Sequence, residues 1–156
     1  MNVLKVIASI LICQAAGFVG SIFTTPAIPI WYKGLTKPSF TPPDRVFAPV
    51  WTVLFLLMGI ALFLVWKVGF GDERVRKGMA LFGVQLALNV SWSIAFFGFR
   101  SPLAGLIVIA VLWAAILVTI FDFFSISRVA GALLVPYIAW VSYAAVLNVS
   151  LYILNR

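Results

Sequence analysis

The chain has no histidine, one cysteine and few charges. Without histidine it lacks the commonest general base, the commonest metal ligand and the usual haem ligand. The lone Cys13 excludes an intramolecular disulfide framework and a cysteine cluster for metal, and no metal or other cofactor is expected to be required. Charged residues make up 10% of the 156, against 64% hydrophobic, and a soluble domain so composed could not cover its own surface. The chain therefore reads as an all-α, multi-pass membrane protein with no room for a separate water-soluble domain. Eleven cations against four acids give a net charge of +7. The cations are scattered singly between apolar runs, and only Arg74, Arg76 and Lys77 cluster, in an expected loop over Lys67–Gly78. That pattern fits membrane-flanking anchors rather than a nucleic-acid surface.

What is present in abundance is long apolar runs. A hydrocarbon core roughly 30 Å thick needs about 20 apolar residues in helix. Five runs qualify, at residues 4–29, 45–66, 79–99, 103–124 and 129–153. The first starts like a signal peptide, but it stays apolar to about Ile30, too long for that, and is read as a retained helix. Pro102 suits the first turn of the fourth helix. The short connections predict an up-down bundle of sequential antiparallel neighbours, with the termini on opposite sides. Lys5, Lys67, Arg74, Arg76, Lys77 and Arg128 fall on one side, and Lys33, Lys37, Arg45, Arg100 and Arg156 on the other. Six against five leaves the orientation open. There is no internal repeat of the kind that marks symmetric transporters.

The stretch Trp31–Trp51, WYKGLTKPSFTPPDRVFAPVW, separates the first two runs. Pro38, Pro42 and Pro43 exclude a helix from Lys37 to Pro43. A stiff loop of this length is expected to fold over one end of the bundle as a lid. Asp44 beside Arg45 has the look of a helix cap with an anchor.

The helices have readable faces. On the third, Phe82, Gln85, Asn89, Trp92 and Phe96 form one stripe, and amides in a bilayer are expected to face the bundle interior. Ala80, Gly83, Ala87 and Ser91 form a second stripe on which another helix, of the same or a second copy, can approach closely. The second helix aligns Phe47, Trp51 and Phe55. The fifth aligns Leu133, Tyr137, Trp140, Ala144, Leu147, Asn148 and Leu151, with Pro136 expected to loosen the backbone one turn before Trp140. Such stripes are often plain packing. Buried amides, room beside Ala144 and a rigid loop above favour a ligand box. Asp122, near the end of the fourth helix, is within reach of headgroups or Arg128 and is read as structural.

Trp31, Tyr32, Leu35, Lys37, Pro38, Pro42 and Pro43, followed by Trp51, resemble the signature of the TspO/MBR family, relatives of the mitochondrial translocator protein. QLALNVSWSIAFF (Gln85 to Phe97), VPYIAW (Val135 to Trp140) and Leu147-Asn148 continue the resemblance over nearly the whole chain. It implies a five-transmembrane-helix bundle whose proline-rich first loop closes over a pocket for porphyrins, sterols and synthetic apolar ligands. By position in these motifs the pocket would be lined by Ser21, Tyr32, Pro42, Phe47, Trp51, Phe55, Asn89, Trp92, Phe96, Trp140, Ala144 and Leu147. The resemblance also implies a homodimer through the third helix, at Ala80, Gly83 and Ala87. Trp51 and Trp140 match two tryptophans linked in bacterial relatives to light-dependent porphyrin breakdown. A terminal sterol motif has a counterpart in Val149, Tyr152 and Arg156, but the pattern is common by chance and the chain stops at its last residue, so no sterol site is expected there.

The leading expectation is a receptor, in a bacterial cell membrane, for a flat apolar ligand such as protoporphyrin IX. Asn89 would bond the polar edge of the macrocycle, and Lys33, Lys37 or Arg45 would pair with its propionates. A porphyrin-degrading photo-enzyme using Trp51 and Trp140, and a porphyrin or lipid/sterol carrier, are the alternatives. No acid-base pair or metal constellation supports conventional catalysis.

Overall fold

The computed structural model describes residues 1–156 and is helical throughout, with no strand. Helix α1 covers Asn2–Ile30, and a single tight turn follows at Tyr32–Gly34. Helix α2 is Asp44–Trp66, α3 is Glu73–Ser93, α4 is Pro102–Ile126, α5 is Arg128–Leu133 and α6 is Val135–Leu154. Five segments are long and apolar enough to span a bilayer: α1, α2, Glu73–Gly98, α4 and the α5–α6 pair. The protein is an integral, multi-pass membrane protein.

Local chemistry sets most boundaries. Ser101 and Ser127 cap α4 and α5 by accepting from the Ala104 and Ala130 amides at 3.1 and 3.2 Å. Pro102 occupies the first turn of α4, where its missing N–H costs nothing. Helix α3 starts six residues before the apolar run, because Asp72 accepts from the Arg74 amide at 2.9 Å and caps it. Arg74, Arg76 and Lys77 therefore lie on the first turns of α3, not in a loop. Hydrogen bonding from the Arg74 side chain holds the Asp72 carboxyl below the usual carboxylate range. Asp44 does not cap α2. Pro43 holds that position, and Asp44 lies in the first turn, where its charge complements the helix dipole. The fifth span breaks at Leu134, and Pro136 opens α6.

After Ser93 the third span widens to a π-helical turn, Ile94–Gly98, in which the Phe99 amide donates to Ile94 O at 2.8 Å. The wider turn brings Ala95, Phe96 and Phe97 to the interior in succession. Arg100, at φ 52°, ends the span in the left-handed conformation common after helices.

The spans form a ring in the order α1, α2, α5–α6, α4, α3, with α1 closing against α3. This differs from a simple sequential arrangement: α2 and α3 are weak neighbours, and the connection Lys67–Asp72 crosses the end of the bundle. The ring is filled by buried side chains, among them Met58, Phe82, Leu112, Ile116 and Phe123, with Phe82 and Phe123 stacked at 5.7 Å. At the same end, Asp122 faces Lys77 at 3.4 Å rather than Arg128. Gly78 makes room for it, since a Cβ there would fall 2.8 Å from Asp122 Oδ2.

The interior stripe of α3 is as expected: Phe82, Gln85, Asn89 and Phe96 are buried. The small residues Ala80, Gly83 and Ala87 are exposed on its outer face, and a Cβ built on Gly83 meets nothing within 4 Å.

Candidate functional site

Two hollows share a wall near the lid end. The smaller, about 20 Å³, is enclosed by Tyr32 below the lid, Phe47 and Trp51 of α2, Trp92, Phe96 and Phe97 of the third span, and Trp140, Ala144, Leu147, Asn148 and Leu151 of α6. Eight of the twelve residues expected to form a pocket converge here. The space between them holds about one water. The side chains fill it themselves: Trp92 stacks on Phe96 at 5.5 Å, Phe96 meets Phe97 edge-on at 4.7 Å, and Phe47 lies 6.4 Å from Trp140.

The larger hollow, about 340 Å³, lies between α1, α2 and α3. Ser21, Phe55 and Asn89 line it, with Phe47, Trp51, Trp92 and Phe97 common to both. Of the twelve expected residues only Pro42 lines neither hollow. Sequence reasoning missed Gln14, Gly17, Thr24, Thr52, Ser93 and Phe97, which also line the larger space. Gly17 is required there, as a Cβ would come within 2.7 Å of the Phe55 ring.

Hydrogen bonds fix the box from behind. Asn89 Nδ2 donates to Tyr137 Oη at 2.8 Å, and that hydroxyl donates to Gln85 Oε1 at 2.8 Å. Trp92 Nε1 donates to Asn148 Oδ1 at 3.1 Å, and Asn148 Nδ2 donates to Pro102 O at 2.8 Å. These chains give partners to amides that lipid could not serve, though Gln85 Nε2 stays buried without one. Asn89, expected to bond a ligand's polar edge, gives one amino N–H to Tyr137; its second N–H and its Oδ1 make no side-chain hydrogen bond. Gly105 of α4 leaves the space that Phe96 and Asn148 occupy.

Tyr32 is 1% exposed, and its hydroxyl has no partner. Burial pushes its phenol up to about 12, with Asp44 and then Tyr143 adding to the rise. Lys37 is committed to the lid: its ammonium lies 4.7 Å above the Tyr32 ring and donates to Lys33 O and Leu35 O. Lys33 and Arg45 are exposed and form no ion pair. No three His, Cys, Asp or Glu side chains gather as a metal site.

A five-span bundle with a folded proline-rich loop over three converging tryptophans defines a small, tryptophan-lined membrane protein. The chain belongs to the TspO/MBR family, whose profile it matches over residues 9–154. It is 47% identical to the tryptophan-rich protein TspO of Archaeoglobus fulgidus over 156 residues, 99% of each chain. It is 48% identical to the protein of that name from Chlorobaculum tepidum over 144 residues, 92% of this chain and 91% of the relative. Identity to the human translocator protein is 39% over 132 residues, 84% of this chain and 78% of the relative.

Proposed function

We propose that the protein is a membrane receptor for porphyrins and other flat, apolar molecules, held between α1, α2, the third span and α6 beneath the lid. The observation that carries this reading is the meeting of Trp51, Trp92 and Trp140, from three spans, around a hollow that adjoins a larger crevice through a shared aromatic wall. Indole faces suit a π-macrocycle, and the exposed Lys33 and Arg45 suit its propionates. The small hollow is a closed form of the site. Ligand pockets of this kind run to about 300–1,000 Å³, so a macrocycle fits only when wall side chains move and the two spaces join. Replacing Trp140 with Phe removes part of a stacking face worth about 0.5–1.5 kcal/mol. The expected result is porphyrin affinity about 3–10-fold weaker by tryptophan quenching, with helicity intact. Unchanged affinity would remove Trp140 from the site.

A second reading is oxidative breakdown of the bound porphyrin under light and oxygen, with indoles supplying or relaying an electron. It is favoured by Trp51 and Trp140 walling the same hollow. Illumination in air should yield product from the parent and little from a Trp51→Phe, Trp140→Phe double variant. Equal yields would leave binding alone.

A further inference from the structure

The lid is fastened at two points. Asn155, just past α6, forms a reciprocal pair with the Thr36 backbone: the Thr36 amide donates to Asn155 Oδ1 and Asn155 Nδ2 donates to Thr36 O, both at 2.9 Å. The same Nδ2 donates to Leu151 O at 2.8 Å, tying the side chain to its own helix. Further along, the Tyr143 hydroxyl donates to Phe40 O, and the two rings meet edge-on at 6.3 Å. A ligand descending through the lid must break these bonds and displace the buried Tyr32.

The flank of the bundle is different. Helices α1 and α2 touch at Ile10 and Gly59, where a Cβ would lie 2.8 Å from Ile10 Cα, and Gln14 Nε2 bridges to Thr52 O at 3.1 Å. Towards the lid from that bridge the 340 Å³ crevice lies between them, with Phe18, Thr25, Ala48 and Thr52 exposed at its rim. These positions lie within spans, so the rim faces lipid. Three of the five hydroxyls lining the crevice are turned onto their own helices: Ser21 to Phe18 O, Thr24 to Gly20 O and Thr52 to Ala48 O. An apolar visitor therefore meets few unpaired polar groups. At the lid end the crevice reaches Ile28 and Asp44, with Arg45 next in sequence, so a polar edge can stay at headgroup level while the body slides inward. Its inner wall includes Trp51 and Trp92. Trp92 is held by Asn148, whereas the Trp51 indole N–H has no protein acceptor and its ring is half-buried.

We infer that the ligand reaches the aromatic box sideways from the membrane, between α1 and α2, by displacing the Trp51 indole while the lid stays latched. This rests on the receptor reading above. It assigns the site to molecules that partition into the bilayer first, with a flat apolar body and at most one polar edge.

The test uses the full chain in liposomes, protoporphyrin IX as probe, and association followed by stopped-flow quenching. In one arm, Thr25→Cys is labelled after folding with a bulky maleimide. The native Cys13 is fully buried and does not compete. Labelling should slow association at least tenfold relative to the same variant unlabelled. In the other arm, Asn155→Asp keeps an acceptor for the Thr36 amide but sets a carboxylate against Thr36 O and Leu151 O. Hydrogen exchange at Thr36 should rise at least tenfold, with porphyrin association within twofold of the parent. A tenfold faster association in Asn155→Asp, or a labelled crevice that leaves the rate unchanged, would overturn side access while sparing the receptor reading. No equilibrium binding to the parent would remove the receptor reading and the route with it.

Discussion

Gly105 touches neither hollow, yet the box depends on it, which makes Gly105→Ala a stringent probe. A Cβ at 105 would fall 2.7 Å from Phe96 Cδ2, 2.9 Å from Phe96 Cβ and 2.9 Å from Asn148 Oδ1. Rotation of the ring relieves the first contact but not the second, so backbone must shift. Overpacking of this kind costs about 1–3 kcal/mol. Strain on the bonds from Trp92 to Asn148 and from Asn148 to Pro102 O adds about 0.5–1.5 kcal/mol for each one lost. Replacing a helical glycine returns up to about 1 kcal/mol, leaving a net loss of about 1–5 kcal/mol when both bonds are lost. The assay is equilibrium unfolding in mixed micelles followed by helicity, with porphyrin affinity measured on the same samples. A retreat of Phe96 and Trp92 should also weaken binding about tenfold, equivalent to about 1.4 kcal/mol. Gly83→Ala is the control: it is exposed with open space around it, so it should stabilise by up to about 1 kcal/mol. If Gly105→Ala unfolds and binds like the parent, the packing described around Phe96 and Asn148 is wrong.

Tyr137→Phe strips the partner from Asn89 Nδ2 and Gln85 Oε1 and should cost about 1–3 kcal/mol. Gln85→Leu combined with it should cost less than the sum of the two, because they share one network, and strict additivity in the unfolding cycle would refute the coupling. Tyr32→Phe should leave stability unchanged or raise it by up to about 1 kcal/mol, since the hydroxyl it removes is buried without a partner. The folded protein holds the Tyr32 proton up to about 12, against an ordinary value of 10.0. The unfolded chain therefore deprotonates first, and this contribution is full below pH 10 and lost as pH rises from 10 towards 12. That slope should flatten in Tyr32→Phe, with loss of the late phenolate absorbance step.

Much of this was readable beforehand, for identifiable reasons. Gln85 and Asn89 stand out because an amide in an apolar run must find a partner, and the period of the helix carried that to Trp92 and Phe96. The prolines of the lid exclude regular structure, which placed the loop over the bundle. The crevice was hidden because it depends on ring order, which short connections do not specify when α1 packs on α3. Its small polar residues, Ser21, Thr24 and Thr52, bond to their own backbone and leave no long-range mark. The Asn155 latch is one amide at a helix end with no pattern around it. Hydropathy does not show the start of α3, because an aspartate cap begins that helix inside a charged stretch.

The tight contact of Ile10 with Gly59 has a mechanical consequence. It sets a fulcrum near one end of α1, and Thr25 lies fifteen residues further along, a lever arm of about 22 Å. A rotation of about 10° then moves the rim by about 4 Å, close to the thickness of one aromatic ring. Such a motion opens a slot, wide in one direction and thin in the other. A slot passes a plate and stops a ball of the same volume, so on the proposed side route flatness would become a selection rule enforced by helix geometry before any side chain is touched.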